Sequence, residues 1–376
     1  MRIVHVSIGV LPPVFTDSGG AIQRRVRALA AEQARRGHDV HVVSPGEQDG
    51  GDRVGRVGVT YLRTRLRRPL AELEFQVRTA GAIKRLPHPP DVIHFHSEPE
   101  GSVIARVFPN AKAVMTYDYF EFRRGRTPAW PLYRRALLAY DALLPCSEYC
   151  RRESGRYWRL PDDKVFVVYN GVDLESFRPD AEGAARERAR LGNPRQLILS
   201  LGRVCAQKGT DVLLDAYGAL RRRLPDVQLA IAGPIEQFDA ADARSAAHWR
   251  SRIAAAGATY LGVIEEPRLP ALLSAADVFV MPTRELEMFG MTAVEALACG
   301  VPVVASDHGG LRETVPDGCG TRFGAGDARA LAATLRNMLE DDELRTHKAA
   351  MARLHASRFA WPRIVDDLEA IYGAPA

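Results

Sequence analysis

Glu287 and Glu295 are two carboxylates that stand eight residues apart in one predicted strand, loop, helix and strand unit. Glu287 lies in the polar loop, and Glu295 lies about one turn inside a helix predicted from Met291. The backbone N–H groups of Gly290, Met291 and Thr292 would lie at the helix N-terminus, where they favour a phosphate. A carboxylate accepts hydrogen bonds with both oxygens, so Glu295 could bind a ribose diol and Glu287 a second polyol. The alternative is an ordinary amphipathic helix whose glutamate faces solvent.

The pattern E-x7-E followed by A-L-A-C-G-V-P-V-V-A-S resembles the donor site of the retaining glycosyltransferases of family 4. That family usually has Pro after the first Glu, where this chain has Met288. The resemblance covers nearly the whole chain. It implies an α/β protein with the GT-B fold, in which two Rossmann-like, doubly wound parallel-sheet domains face a central cleft.

Arg203 and Lys208 stand in the loop G-R-V-C-A-Q-K-G after a predicted strand, Leu197 to Leu201, and they match the R-x4-K pair of the family. A departing nucleoside diphosphate must be neutralised by a metal ion or by fixed cations. No two Asp residues have the D-x-D spacing of a common metal handle. We therefore expect these cations to act without a metal, and no cofactor besides the nucleotide sugar as co-substrate.

The resemblance also implies a donor role for a second group of residues. Gly19 and Gly20 precede the helix predicted from Ala21 to Arg36, and the family has a glycine pair here that faces the donor phosphates. Taken alone, S-G-G is more often an ordinary turn. The nucleotide base is expected near the loops after two later strands. The residues assigned to the donor in these loops and beside the helix N-terminus are Gly233, Val263, Ile264 and Phe289.

His94 and His96 lie near the end of a predicted strand in D-V-I-H-F-H-S-E-P. A histidine at such a place is more often structural. The resemblance makes His96, beside Ser97 and Glu98, the residue expected to contact the transferred sugar or the acceptor. His94 is interpreted as structural.

Tyr117, Asp118 and Glu121 follow the next strand, and ligands of parallel sheets bind at the carboxyl ends of strands. These three residues are therefore candidates for the acceptor site. Nearby arginines could hold a phosphate-bearing or lipid-linked acceptor, although a solvated loop would look the same. They are Arg123, Arg124, Arg126, Arg134 and Arg135.

At 376 residues the chain is long enough for two cores. The segment Val165 to Tyr169, followed by N-G-V-D and F-R-P, resembles the family's interdomain strand and linker. We predict an acceptor-binding domain over residues 1–175 and a nucleotide-sugar-binding domain over 176–358. A final helix over 359–376 is expected to cross back to the first domain.

The composition is that of a soluble globular protein, with 46% hydrophobic and 26% charged residues and no apolar run near ~18 residues. Five cysteines without C-x-x-C spacing favour reduced thiols and a cytoplasmic location. Residues 1–160 hold 26 Lys and Arg against 16 Asp and Glu, and the remainder holds 25 against 30. The basic half predicts an anionic acceptor or weak peripheral contact with the inner membrane surface, whereas nucleic acid has no recognised motif.

The sequence thus predicts a retaining, metal-independent glycosyltransferase that moves a sugar from a UDP- or GDP-linked donor to an acceptor hydroxyl. A sugar-nucleotide epimerase of the same fold and a non-catalytic sugar-nucleotide-binding protein remain alternatives. A phosphorylase would need a lysine for pyridoxal phosphate, and the five lysines offer none besides Lys208. The oligomeric state is left open.

Overall fold

A computed structural model of the protein describes residues 1–7, 13–15, 20–66, 70–97, 99–118, 130–235, 242–285 and 287–373. The chain forms two compact units. Unit 1 comprises Met1–Gly171 and Trp361–Ala376, and unit 2 comprises Val172–Ala360. The borders predicted from the sequence lie after residue 175, between the two domains, and after residue 358, before the final helix. Within the described ranges, every helix is too short or too polar to span a bilayer.

Unit 1 is built around a seven-stranded sheet in the order β3-β4-β2-β1-β5-β6-β7. Its strands are β1 (Arg2–Val6), β2 (Asp39–Pro45), β3 (Gly50–Val54), β4 (Val57–Leu62), β5 (Val92–His96), β6 (Lys112–Tyr117) and β7 (Ala142–Pro145). Its first helices are α1 (Ala21–Arg35), α2 (Leu70–Lys84), α3 (Ser102–Val107), α4 (Trp130–Leu137) and α5 (Glu148–Trp158). Every pair of neighbouring strands is parallel except β3 and β4.

The local sequence explains most of these elements. β5 is buried along its whole length, as expected for a parallel strand covered on both faces. α1 ends before Gly37, which adopts a φ of +90° that side chains other than glycine rarely tolerate. β3 was not predicted, because G-G-D-R-V lacks the apolar pattern of a strand and is exposed throughout. It forms only by pairing with β4 at the sheet edge.

Unit 2 contains a six-stranded, all-parallel sheet in the order β10-β9-β8-β11-β12-β13. Its strands are β8 (Gln196–Leu201), β9 (Val227–Ala232), β10 (Thr259–Gly262), β11 (Val278–Met281), β12 (Val303–Ser306) and β13 (Gly320–Phe323). Its helices are α6 (Ala181–Arg190), α7 (Thr210–Arg221), α8 (Asp242–Ala255), α9 (Leu269–Ser274), α10 (Met291–Ala298), α11 (Leu311–Thr314), α12 (Ala328–Glu340) and α13 (Asp342–Ala356).

The last helix, α14 (Trp361–Gly373), belongs to unit 1. Its Ile364, Leu368 and Tyr372 are buried in one apolar cluster with Ile3 of β1 and Leu29 of α1. Burial of this helix face therefore adds apolar contact area to the core of the first unit.

The strand order of each sheet reverses at one place. In unit 1 the strands run outward from the neighbouring strands β1 and β5, to β2, β4 and β3 on one side and to β6 and β7 on the other. In unit 2 successive strands run outward from β8 and β11. Loops that leave two such strands diverge, and the space between them is where doubly wound sheets bind ligands. The predicted α/β class with two Rossmann-like parallel-sheet units is confirmed.

Candidate active site

The loops after β8 and β11 meet at the point where the strand order of unit 2 reverses. The backbone N–H of Arg284 donates to the carbonyl oxygen of Gln207 at 3.0 Å. The hydroxyl of Thr283 donates to the same oxygen at 3.2 Å. The segment that contains Arg203 and Lys208 is therefore fastened directly to the segment that leads to Glu287.

Lys208 and Glu287 form an ion pair across these loops. The distance from Lys208 Nζ to Glu287 Oε2 is 2.6 Å, and the two side chains are 29% and 16% exposed. Because desolvation offsets much of the attraction in a mostly buried pair, the main effect of this contact is to place both groups. The sequence motifs predict each residue for the site but not their contact. Arg203 lies exposed in the same loop.

Glycines give the two loops their shape. Gly209 has a φ of +73°, and a Cβ there would lie 1.8 Å from the carbonyl oxygen of Pro282. The N–H of Gly310 donates to the carbonyl oxygen of Glu287 at 2.8 Å. A Cβ on Gly310 would lie 2.0 Å from the carbonyl oxygen of Met288. This close backbone contact supports the loop where the family usually has a proline.

Gly290 is the N-cap residue just before α10; its φ is +89°, and no side chain caps the helix. A Cβ on Gly290 would lie 3.7 Å from Cγ of Glu287, so the helix N-terminus is beside the ion pair. Met291 and Thr292 occupy the first turn, whose N–H groups have no partner inside the helix. A cation, a carboxylate and a helix N-terminus thus share one end of the sheet, as the sequence analysis expected, and Phe289 is buried next to them.

Glu295 lies on the buried face of α10, and only 1% of the residue is exposed. The alternative of a solvent-facing glutamate on an amphipathic helix is therefore excluded. Burying a carboxylate is costly unless its oxygens are hydrogen-bonded, so the position of Glu295 fits a ligand-binding carboxylate better than a solvated surface residue.

The loops after β9 and β10 join the same end of the sheet through Gly233. Its N–H donates to the carbonyl oxygen of Gly262 at 2.7 Å, and its own carbonyl oxygen accepts from Tyr260 Oη at 2.8 Å. A Cβ on Gly233, where φ is +128°, would lie 2.0 Å from the carbonyl oxygen of Gly202. Val263 is exposed and Ile264 is half-buried nearby, so apolar side chains are available to a ligand there.

In unit 1, His96 is part of a buried histidine cluster together with His5 and His94. His5 Nδ1 lies 3.0 Å from His96 Nε2, and His5 Nε2 lies 2.7 Å from Gln33 Oε1. His94 Nδ1 lies 2.7 Å from the hydroxyl of Tyr372. His5 and Gln33 were not predicted from the sequence, because only the pairing of β1 with β5 brings His5 to the other two histidines.

Burial keeps these imidazoles neutral. It lowers the pKa of His5 to about 4. Burial also lowers the pKa of His94 and His96 well below the usual value, and the nearby charge of Arg25 acts in the same direction. Each ring offers one nitrogen within 4.8 Å of the others, so these are residues that could ligate a metal ion. The sugar contact of His96 stays a prediction.

Two of the three residues predicted for the acceptor site are described, and they differ in their exposure and contacts. Tyr117 does not reach a surface: it is fully buried, and its hydroxyl lies 2.6 Å from Ser154 Oγ on α5. The structure therefore argues against Tyr117 as an acceptor contact, because the end of β6 is covered by that helix. Asp118 is partly exposed and forms an ion pair with Arg25 at 2.6 Å. Glu121 lies outside the described residues.

Several other predicted positions also fall outside the described residues. These are Gly19, Glu98, Arg123, Arg124 and Arg126. Gly20 is described and begins α1 without a side-chain cap. Ser97 has a φ of +56°, which is uncommon for a residue other than glycine and occurs more often at functional positions.

Two family models and several relatives match this chain. The family model "Glycosyl transferases group 1" matches residues 183–355, and "Glycosyltransferase Family 4" matches residues 19–176. The GDP-mannose-dependent alpha-(1-6)-phosphatidylinositol monomannoside mannosyltransferase of Mycolicibacterium smegmatis is 30% identical in an alignment of 352 positions that covers 87% of each protein. A D-inositol 3-phosphate glycosyltransferase of Jonesia denitrificans is 36% identical in an alignment of 218 positions that covers 56% of this chain and 51% of that protein.

A solved structure has the same fold. HepE from Anabaena, in complex with UDP and glucose, superposes with a TM-score of 0.77 at 20% identity and covers 100% of both chains. Two Rossmann-like units with the donor-site motif at a strand-order reversal define a GT-B glycosyltransferase that uses a nucleotide sugar. The chain belongs to glycosyltransferase family 4. These relatives do not favour the epimerase or the non-catalytic binding protein.

Proposed function

We propose that this enzyme transfers a hexose from a UDP- or GDP-linked sugar to a hydroxyl of a phosphate-bearing polyol, with retention and without a metal or other cofactor. The observation that carries the proposal is the Lys208–Glu287 pair beside the N-terminus of α10. That combination supplies positive charge and directed donors for a diphosphate, and it supplies a carboxylate for sugar hydroxyls.

The leaving group is the nucleoside diphosphate. When the bond between the anomeric carbon and the phosphate oxygen breaks, negative charge grows on that oxygen. Lys208, Arg203 and the N–H groups of the first turn of α10 stabilise this charge more in the transition state than in the bound donor, which lowers the barrier. In this scheme the cations take the place of a metal ion, in line with the absence of D-x-D in the sequence.

The carboxylates orient the donor. Glu287 accepts hydrogen bonds from the hexose hydroxyls, and its ion pair with Lys208 sets its position next to the diphosphate. Glu295 accepts hydrogen bonds from the ribose hydroxyls. The base lies near Gly233, Val263 and Ile264.

Retention follows from the geometry proposed for the acceptor. The acceptor hydroxyl attacks from the face that the diphosphate leaves, and the departing phosphate oxygen takes its proton. His96 and Asp118 of unit 1, with Glu121, are the residues proposed for this side of the reaction.

The acceptor class is suggested by relatives. One is named for a phosphatidylinositol monomannoside and another for D-inositol 3-phosphate. Both names describe a polyol joined to phosphate. The excess of basic residues in the first 160 positions, 26 against 16 acidic, suits such an anionic acceptor.

The donor part of the proposal is tested by calorimetric titration with UDP, GDP and ADP, followed by product analysis with the corresponding mannose and glucose donors and inositol phosphates. We expect micromolar binding of one nucleotide and transfer that continues in the presence of EDTA. Loss of transfer on chelation, with recovery on adding Mg²⁺ or Mn²⁺, would contradict the metal-independent mechanism.

Weak contact with an acidic membrane surface belongs to the same proposal. Leu70, Leu73 and Val77 are exposed on α2, and Leu66 is exposed just before it. Arg65 is exposed beside these apolar side chains. An exposed apolar helix face next to an arginine suits the interface of anionic lipids, where acceptors with lipid anchors reside.

A further inference from the structure

Arg25 on α1 is a buried cation at the carboxyl end of the unit 1 sheet, and only 4% of the residue is exposed. Its Nη1 donates to Asp118 Oδ1 at 2.6 Å and to Asn170 Oδ1 at 2.9 Å. Asn170 Nδ2 in turn donates to Asp118 Oδ1 at 3.0 Å. These three bonds hold the guanidinium plane in one orientation.

The other edge of this guanidinium is unused. Nε and Nη2 of Arg25 are both buried, and neither has a hydrogen-bond partner among the residues that the structure describes. These two nitrogens form the side of the guanidinium that donates two parallel hydrogen bonds to a carboxylate or a phosphate. Buried donors without partners are costly, so a buried fork held in one orientation calls for a ligand.

Other buried polar atoms that have no hydrogen-bond partner in the described part of the chain lie at the same end of the sheet. They are Ser7 Oγ after β1, His96 Nδ1 at the end of β5 and Ser97 Oγ just after it. Because Val6 pairs with Phe95, Ser7 and His96 are the next residues along two neighbouring strands. Burial is the main cause that lowers the pKa of the His96 imidazole, and the nearby charge of Arg25 lowers it further. These buried polar atoms without described partners therefore lie where the loops after β1 and β5 diverge, the position at which such sheets bind ligands.

We propose that the Nε–Nη2 edge of Arg25 binds two oxygens of a phosphate group on the acceptor, with the imidazole of His96 as a neighbouring hydrogen-bond group. This inference rests on the proposed function and adds the residue that recognises the phosphate. Asp118 neutralises Arg25 from the opposite edge, but its side chain is 28% exposed, so solvent screens its charge more than that of the buried cation. A phosphate satisfies both donors of the fork at once.

A soluble polyol phosphate and a lipid headgroup present the same phosphate oxygens to Arg25, so the experiments below distinguish these two sources. The first measurement uses the full chain saturated with the nucleotide that it binds, so that the diphosphate site of unit 2 is filled. Inorganic phosphate is then titrated by calorimetry into wild type, Arg25→Lys and Arg35→Lys. Arg35 is the control, because it is an exposed arginine on the same helix, paired with Glu32.

Lysine keeps the charge but loses the fork, so we expect Arg25→Lys to weaken phosphate binding at least about tenfold. Arg35→Lys should match wild type. Nucleotide affinity and the thermal midpoint without phosphate are measured on every variant. Equal phosphate affinity in wild type and Arg25→Lys would overturn the inference, as would an absence of phosphate binding to the wild type. Failure to bind any nucleotide would instead contradict the proposed function.

Asp118→Asn separates phosphate binding by Arg25 from a purely structural role of Arg25, because only phosphate binding predicts a change in phosphate affinity. The amide oxygen can still accept from Arg25 and Asn170, while a like charge near the anion is removed. We expect phosphate to bind several-fold more tightly, and unchanged or weaker binding would count against an anion at this edge. If Arg25→Lys does not fold, this gain of affinity decides the question alone.

The source of the phosphate is settled by two further ligands. Soluble myo-inositol phosphate and vesicles of phosphatidylinositol in phosphatidylcholine are each compared between wild type and Arg25→Lys. A dependence on Arg25 for the soluble ligand indicates a metabolite acceptor, and a dependence for vesicles alone indicates a lipid acceptor. If neither depends on Arg25, the inference is wrong.

Discussion

Glu287 and Lys208 are adjacent in space but have different parts in the proposed reaction. Glu287 is expected to hold the hexose, and Lys208 the diphosphate. Their contact at 2.6 Å means that removing either one also leaves the other without its ionic partner. Variants of the two residues must therefore be compared for nucleotide binding as well as for transfer.

We expect Glu287→Gln to lower kcat/KM for transfer about 100-fold or more, because the hexose loses its orienting carboxylate. Affinity for the nucleoside diphosphate should stay within a few-fold of wild type. Calorimetry and a product assay measure the two effects. Glu182→Gln, at an exposed glutamate of unit 2, is the matched control. Normal transfer by Glu287→Gln would refute its assignment.

Lys208→Met should give the complementary result. Without the cation, the diphosphate loses a charge-assisted hydrogen bond, so nucleotide affinity should fall about tenfold or more and kcat about 100-fold. Lys84→Met, at an exposed lysine of α2, controls for the change of net charge. If Lys208→Met bound nucleotide as tightly as wild type, the leaving-group role would be wrong.

At the scale of elements, the candidate site depends on tight loops rather than on the helices and strands alone. The loop that carries Glu287 is held by a backbone hydrogen bond from Gly310. The loop that carries Lys208 needs Gly209 against Pro282. Small residues here allow backbone segments to touch, which fixes the side chains that follow them.

Gly310→Ala is expected to move the Glu287 loop, since its Cβ would lie 2.0 Å from the carbonyl oxygen of Met288. We expect a loss of about 1–3 kcal/mol in the free energy of unfolding and a clear fall in transfer. Gly318→Ala is the control, because a Cβ there has no atom within 4 Å. Denaturant unfolding and the product assay would show the difference, and equal behaviour of the two variants would argue against the loop account.

The exposed face of α2 permits a test of membrane contact. Replacing Leu73 and Val77 by Gln should weaken binding to anionic vesicles about tenfold, because two apolar side chains no longer enter the interface. The change is measured by co-sedimentation at low salt. Leu354→Gln alters an exposed leucine of α13 in unit 2 and should have no effect. Vesicle binding that ignores the α2 substitutions would place the contact elsewhere.

For the molecule as a whole, buried histidines make stability depend on pH. The pKa of His5 is lowered to about 4 by burial, whereas an unfolded histidine titrates near 6.5. Between these values the unfolded chain binds a proton that the folded chain does not, so stability is present above pH ~6.5 and falls as the pH falls. His94 and His96 shift in the same direction.

We therefore expect the free energy of unfolding to decrease between about pH 6.5 and pH 4, by up to about 1.4 kcal/mol per pH unit for each such histidine. Denaturant unfolding at several pH values measures the slope. His5→Gln should reduce it, and His88→Gln, at an exposed histidine, should not. A flat profile in the wild type would contradict the burial of neutral imidazoles.

Much of this protein could be predicted from its sequence, because the relevant signals are local. Apolar runs and helical spacing predicted the alternation of strands and helices, and E-x7-E, R-x4-K and glycine placement predicted the loops of the candidate site. The edge strand β3 escaped prediction, because its residues have no strand pattern of their own and pair only where β4 is present.

Contacts between distant segments required the folded chain. Lys208 and Glu287 are 79 positions apart, and Arg25 and Asn170 are 145 apart. Their meeting depends on strand order, which residue spacing does not encode. Burial is equally non-local: Tyr117 follows a strand as a ligand-binding residue would, yet α5 covers it. Local chemistry thus specified which residues could act, and the packing of the sheet specified which of them are together and which are enclosed.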